Sequence, residues 1–241
     1  MPLPTERPVR LLHIDSSARM SASGPDRRGS HSRRLSRRFV DRWLAARPGD
    51  QIIRRDVAAT PPAPVDEAWI DAAFTDESCR SPDQIKRLAE SDRLTNELLD
   101  ADVLVVGVPM YNFGVPSPLK AWIDNIVRVG LTFGFDRTRE GEPYWPMTSP
   151  DKRVVILTAR GDHGYAPGER LAAMNVVEAG LTVPLRYIGI TQSETIAIEY
   201  DEFGDDRLAA SIAAAEAAVD ALVAGMLGRR PAITAAPPPR G

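Results

Sequence analysis

Val103-Leu104-Val105-Val106-Gly107-Val108, running on into Pro109-Met110-Tyr111-Asn112-Phe113-Gly114-Val115-Pro116-Ser117-Pro118-Leu119-Lys120, decides how this chain folds. The first six residues form a short, continuous apolar run, the pattern of a strand buried on both faces. From Leu119 to Arg128 the apolar residues Leu119, Trp122, Ile123, Ile126 and Val127 recur at helical spacing. Between them lies a loop punctuated by Pro and Gly that carries Met, Tyr, Asn and Phe. A buried strand therefore empties into a loop that opens a helix. In open α/β sheets this carboxyl end of a strand is where ligands sit. Flat, soft and amide-bearing side chains there suit a planar heteroaromatic ring better than a sugar or a metal.

The same alternation extends in both directions. Residues 9–14 form a first strand candidate, and Ser32 to Ala46 a helix with Leu35, Phe39 and Trp43 on one stripe. Arg33, Arg34, Arg37, Arg38 and Arg42 fall largely off that stripe and read as a solvated face, since no aromatic platform for nucleic acid accompanies them. Residues 51–57 are a weaker second strand, followed by helical patterns at 65–74 and 82–99. A second buried run, Arg153 to Thr158, ends in Ala159-Arg160-Gly161-Asp162-His163-Gly164-Tyr165. A helix near 168–179, a last strand around Leu185–Ile190 with Thr195–Ile198 as a candidate continuation, and an alanine-rich helix from Asp206 to Leu227 complete the pattern. Strands alternating with helices predict a three-layer, doubly wound, five-stranded parallel sheet of flavodoxin-like order 2-1-3-4-5. The folded domain is expected over 1–228, with a disordered Pro- and Ala-rich tail at 229–241.

Composition excludes several classes. A formal charge of −3 over 241 residues gives no strong field for nucleic acid or a membrane surface. The single cysteine, Cys79, rules out a disulfide framework and argues against a metal cluster. Met1 to Pro8 lacks the apolar core of a signal peptide, and no apolar run approaches the ~20 residues that span a bilayer. The expected location is the cytoplasm.

The chemistry sits on three loops. The first strand is followed by Ser16-Ser17 and then Ser30-His31-Ser32, with Ser32 placed to cap the first helix. A helix amino terminus favours a phosphate, and Ser17, Ser30 and Ser32 could add hydroxyls; a plain helix cap explains the same residues equally well. Neither G-x-G-x-x-G nor a P-loop lysine is present, so a mononucleotide fits better than a dinucleotide or a nucleoside triphosphate. In the second loop Met110 and Phe113 could pack on a ring and Asn112 bond its edge, although core packing and an Asx-turn are the plainer reading. The third loop places Gly161 where a backbone can approach a ligand closely. Three such signals at the ends of the first, third and fourth strands converge on the switch point where FMN binds in this topology.

At this point a family resemblance becomes specific. Pro109-Met110-Tyr111-Asn112-Phe113, Leu119-Lys120, Ile123-Asp124 and Arg128-Val129-Gly130-Leu131-Thr132-Phe133 resemble the FMN-dependent NADH-azoreductases and NAD(P)H:quinone oxidoreductases. Ser16-Ser17, the Ser-x-Ser before Arg33-Arg34-Leu35-Ser36, and Thr158-Ala159-Arg160-Gly161 also line up, over about residues 9–225. The resemblance implies that Ser17, Ser30, His31 and Ser32 hold the FMN phosphate. It implies that Met110, Tyr111, Asn112 and Phe113 line the isoalloxazine, and that Ala159, Arg160, Gly161 and Asp162 meet its polar edge. It further implies a homodimer in which NADH or NADPH reduces the flavin and leaves before a quinone or azo compound takes the two electrons. Asn112 would support this chemistry, with no side chain acting as acid or base. Three departures stand out: the long, basic loop 19–29, Ala159 and Asp162 in place of a hydroxyl residue and a glycine, and the segment 136–150 with Tyr144-Trp145-Pro146. Two rival readings are a serine-type hydrolase or phosphodiesterase, with Ser17 or Ser32 served by His13, His31 or His163, and a flavin-binding electron carrier without turnover of its own. The hydrolase lacks a Gly-x-Ser-x-Gly elbow.

Overall fold

The computed structural model describes residues 7–20 and 29–228. The tail at 229–241 and most of the basic loop, including Arg27 and Arg28, lie outside the described residues. In chain order the elements are β1 (Arg10–Asp15), α1 (His31–Ala46), β2 (Gln51–Asp56), α2 (Glu67–Phe74), α3 (Pro82–Asp100), β3 (Val103–Pro109) and α4 (Ser117–Ile126). They continue with β4 (Phe133–Phe135), β5 (Tyr144–Pro146), β6 (Arg153–Ala159), α5 (Val177–Tyr187), β7 (Gln192–Ile198) and α6 (Asp206–Gly228).

The main sheet runs β2-β1-β3-β6-β7, every pair parallel. With the small β4-β5 hairpin set aside this is the expected 2-1-3-4-5. All seven residues of β3 are buried, because helices cover both of its faces. Alternate residues sort to opposite sides. Leu12, Ile14, Leu104, Val106, Val108, Val154 and Ile156 pack with α3, α4 and α5. Leu11, Val103, Val105, Val155 and Leu157 meet Leu35, Phe39 and Trp43 of α1 and Ala215, Val219 and Val223 of α6. The seven-residue register between β3 and β6, from Val103↔Arg153 to Pro109↔Ala159, brings their carboxyl ends level.

Two expectations fail in the same stretch. Residues 177–187 are helix α5, not a helix ending at 179 followed by a strand at 185–190; the last strand is Gln192–Ile198, so the candidate continuation Thr195–Ile198 lies within it and Leu185–Ile190 does not. Val177, Leu181 and Leu185 are buried at spacings of four. The short apolar run from Leu185 to Ile190 is one that periodicity alone cannot assign, and Pro184 made the helix harder to see. Helix α6 is also, by length and composition, apolar enough to cross a membrane, contrary to the reading that no segment reaches that length. Its Glu216 and Asp220 are bound to α1: Arg38 Nη2 lies 2.7 Å from Asp220 Oδ2, and Arg42 Nε 3.1 Å from Asp220 Oδ1. Arg34 reaches Glu216. Arg34, Arg38 and Arg42 thus tie α1 to α6 at its rim, while Arg37 pairs with Asp41 of its own helix and stays exposed.

The Arg128–Phe133 segment is a turn, buried at Arg128, Thr132 and Phe133, that leads into the hairpin. Arg128 is fully buried, donating to Ser91 Oγ at 2.7 Å and Asp92 Oδ1 at 2.9 Å, with its guanidinium 5.5 Å from the centre of the Trp69 ring. Burial lowers its pKa below the ordinary arginine value. Thr132 Oγ1 accepts from Arg128 N and donates to Ile126 O, both at 2.8 Å. In the hairpin itself Gly134 faces Trp145, whose indole occupies the space a Cβ would need.

Candidate functional site

The loops after β1, β3, β6 and β7 meet at one end of the sheet, joined by backbone hydrogen bonds. After β1, Ser16 turns inward: its N–H and its hydroxyl both donate to Gly107 O, at 3.1 and 2.9 Å. Ser17 is buried beside it, and its Oγ accepts from Arg19 N at 3.2 Å. The helix cap is Ser30, not Ser32. Helix α1 begins at His31, and Ser30 Oγ accepts from Arg33 N at 3.3 Å. Ser32 lies in the first turn, with its hydroxyl 3.2 Å from that of Ser30. Among the described residues the N–H groups of His31 and Ser32 have no acceptor, the usual condition of a helix amino terminus.

The loop after β3 forms a tight two-residue hairpin. Tyr111 N donates to Gly114 O at 3.0 Å and Gly114 N to Tyr111 O at 3.1 Å. The central residues have φ of 47° at Asn112 and 71° at Phe113, the signature of a type I′ turn. Neither is glycine, so this loop holds strained backbone of the kind that clusters at functional sites. Asn112 and Phe113 N–H have no acceptor among the described residues. Tyr111 and Phe113 expose their rings, whereas Met110 packs on the core. The Tyr111 hydroxyl accepts from Ala18 N at 3.1 Å, so the first and second loops touch.

The third loop is fastened to both neighbours. Met110 N donates to Ala159 O and Arg160 N to Ile198 O, each at 2.8 Å. The Arg160 side chain is buried and turned towards Glu178 and Glu199, with Tyr165 beneath its guanidinium. What this loop presents outward is therefore mainly backbone. At Gly161 a Cβ would meet the Glu202 side chain at 2.5 Å. Asp162 is occupied by Arg170 Nη2 and His163 Nδ1, both at 2.9 Å, and the bond from Arg170, ahead of that from His163 N, holds its carboxyl below the usual range.

A fourth contributor was not legible beforehand. Asp201, just past β7, has Oδ1 3.2 Å from His31 Nε2, and its N–H donates to Arg160 O at 3.1 Å. The His31 contact holds the Asp201 carboxyl below the usual carboxylate range despite burial. Tyr200, at φ 70°, stacks on His163 with ring centres 4.5 Å apart. No periodicity marks these residues, which follow the end of β7.

The three histidines have other partners than serine. His13 Nδ1 lies 3.1 Å from Arg54 Nη1 and His13 Nε2 3.4 Å from Asp15. His31 faces Asp201 and His163 faces Asp162. Among the described residues none of them hydrogen-bonds the hydroxyl of Ser17 or Ser32, so the serine-hydrolase arrangement is not formed. No group of His, Cys, Asp and Glu suited to a metal occurs among the described residues either.

Comparison with known proteins agrees with this topology. Residues 10–223 match the Flavodoxin_2 family, described as a flavodoxin-like fold. The FMN-dependent NADH:quinone oxidoreductase 2 of Idiomarina loihiensis is 41% identical over 207 residues, covering 86% of this chain and 85% of that protein. The FMN-dependent NADH:quinone oxidoreductase of a Nostoc species is 40% identical over 216 residues, covering 90% and 99%. Among solved structures, the azoreductase AzrA superposes with a TM-score of 0.76 at 22% identity, covering 90% of this chain and 100% of that one, which supports the fold. A match over nearly all of the folded sequence, with a site built on the ends of β1, β3 and β6, places this chain in the flavodoxin-like FMN-dependent NADH:quinone oxidoreductase family.

Proposed function

We propose that this protein is an FMN-dependent oxidoreductase that uses NADH or NADPH to reduce quinones or azo compounds. The carrying observation is a pair of N–H sets at the ends of adjacent strands that have no acceptor among the described residues. His31 and Ser32 open α1 after β1, and Asn112 and Phe113 sit in the hairpin after β3. The first set, with the Ser17 and Ser32 hydroxyls, suits a phosphate. The second suits the polar edge of a flat ring, flanked by the exposed rings of Tyr111 and Phe113.

When bound, FMN supplies hydride acceptance and two-electron transfer, so the protein's own task is binding, orientation and exclusion. Ser17, Ser30, His31 and Ser32 form the phosphate end. Tyr111, Asn112 and Phe113 would grip the ring, with Met110 supporting the loop from the core side. Ala159, Arg160, Gly161 and Asp162 bound it on the β6 side through backbone, since the Arg160 and Asp162 side chains are committed elsewhere. Donors fixed before reaction stabilise developing charge without having to reorganise. Asn112 supports this edge, and no side chain is needed as acid or base. The relatives' names support both nicotinamide cofactors, one being called an NAD(P)H:quinone oxidoreductase in Pseudomonas aeruginosa. An electron carrier without turnover shares the FMN site, so turnover is the discriminating measurement.

A homodimer completes the proposal. Phe113, Val176, Val183, Tyr187 and Tyr144 leave large apolar side chains exposed. Phe113 is bonded by Val176 N and Tyr144 meets the Tyr187 ring, while Val176, Val183 and Tyr187 recur at spacings of seven and four along α5 and its cap. Such a patch marks an interaction surface, and it borders the ring-gripping hairpin. The exposed free thiol of Cys79 fits a reducing cytoplasm.

The test is an ultraviolet-visible spectrum of the purified protein followed by steady-state kinetics with NADH and menadione. A yellow protein with an FMN spectrum and parallel double-reciprocal lines is expected. A colourless protein that takes up no added FMN would sink the proposal, and sedimentation as a monomer at all concentrations would remove the dimer.

A further inference from the structure

Arg33 occupies an unusual position for a buried cation. It is the third residue of α1, in the turn where the helix dipole already places positive charge, and no acidic residue accompanies it there. Its side chain is 6% exposed and folds back beneath the loop after β1. Nε and Nη2 donate to Ser17 O at 3.2 and 2.7 Å. Nη1 and Nη2 donate to the two Asp56 oxygens at 2.6 and 2.8 Å, a bidentate fork. Asp56 ends β2 and also accepts from Ala58 N and Ala59 N, at 3.1 and 3.0 Å. Asp15 Oδ2 stands 3.6 Å from Nη1.

The consequence lies in one peptide plane. A trans peptide points its C=O and its N–H in opposite directions. The Ser17 carbonyl is drawn inward by Arg33, while the N–H of the same peptide, that of Ala18, reaches the Tyr111 hydroxyl at 3.1 Å. The peptide is thus clamped from both sides. Its orientation sets where the Ser17 hydroxyl stands relative to the N–H groups of His31 and Ser32 that open α1. A lysine could not reproduce the clamp, because an ammonium lacks the planar fork that serves Ser17 O and Asp56 together.

We propose that Arg33 is a positioning residue of the cofactor-phosphate subsite, locking the Ser17–Ala18 peptide through its planar fork, with Asp56 as its anchor. This rests on the FMN reading above. It accounts for a cation buried at a helix amino terminus, which an anion above that terminus favours.

The experiment compares FMN with riboflavin, which lacks the phosphate, by fluorescence titration of the apoprotein. Arg33→Met is expected to weaken FMN by about tenfold or more, the loss of one charge-assisted interaction, while riboflavin changes by less than about twofold. Arg33→Lys keeps the charge without the fork and is expected to fall between. A folded Arg33→Met protein with an unchanged FMN-to-riboflavin ratio overturns the proposal, because a merely structural role would move both ligands together or neither. Should Arg33→Met not fold, the Arg33→Lys ratio decides in the same way. Wild-type protein that binds FMN separates failure of this inference from failure of the FMN reading, which would show as no FMN binding at all.

Discussion

The phenolic oxygen of Tyr111 accepts a hydrogen bond from the backbone N–H of Ala18 at 3.1 Å, tying the loop after β3 to the loop after β1. The contact spans the switch point of the sheet, where strand order reverses. Tyr111→Phe keeps the ring and removes the acceptor. The expected stability loss is about 0.5–1.5 kcal/mol, the net worth of an ordinary hydrogen bond, read from urea unfolding. FMN affinity should fall several-fold through misplacement of the Ser17–Ala18 peptide. Unchanged affinity would show that the two loops are set independently.

Phe113 holds φ 71° in the hairpin that closes the second loop. A non-glycine residue there costs roughly 1–2 kcal/mol, and a half-exposed ring recovers only part of this by burial. Phe113→Gly is therefore expected to raise stability by up to about 1 kcal/mol in urea unfolding, less whatever chain entropy glycine loses on folding. The same change should raise the FMN dissociation constant and lower turnover, because it deletes a flanking ring. Loss of stability together with loss of turnover would mean that the ring, not the turn, governs this position.

Gly107 sits within β3, where the strand packs directly against α1. A Cβ there would fall 2.6 Å from Asp15 Oδ1, 3.0 Å from Ser36 Oγ and 3.2 Å from Ser32 O. The Asp15 oxygen is itself held by Ser36 Oγ at 2.7 Å, so the neighbours have little room to give. Gly107→Ala is expected to destabilise by about 1–3 kcal/mol, the usual cost of overpacking. A variant within error of wild type in urea unfolding would mean that β3 and α1 can separate at no cost.

The sequence made the central part of this architecture readable because β1, β3 and β6 are short apolar runs ending in Gly- and Ser-bearing loops. The sites on those loops followed from topology. Misreadings fell where a local pattern had two meanings. Leu185 to Ile190 is equally a strand or the end of a helix until burial separates the two. Asn112-Phe113 carries no Asn-Gly signature, so its positive φ values were invisible. Arg33 looked like a surface residue because the groups that neutralise it, Ser17 O and Asp56, come from other parts of the chain. Asp201 meets His31 across 170 residues of sequence, and nothing local to either residue marks the contact.

Acid should expose the same polar scaffold. Burial works to raise the Asp50 and Asp56 carboxyls, but Arg47 and Trp43 at Asp50, and Arg33 with the Ala58 and Ala59 N–H groups at Asp56, hold both below the ordinary value of 3.8. Asp201 is held below it by His31. A carboxyl whose folded pKa is depressed binds fewer protons than the unfolded chain, so its stabilisation is full above the unfolded value and is lost as pH falls through the folded one. Urea midpoints should therefore change little through these groups from about pH 7 to 5 and decline below about pH 4. In Asp56→Asn the midpoint should be lower at neutral pH and fall less steeply on acidification, because one of the titrating carboxyls has gone. An acid limb as steep as that of wild type would show that the Arg33–Asp56 fork does not contribute to the linkage.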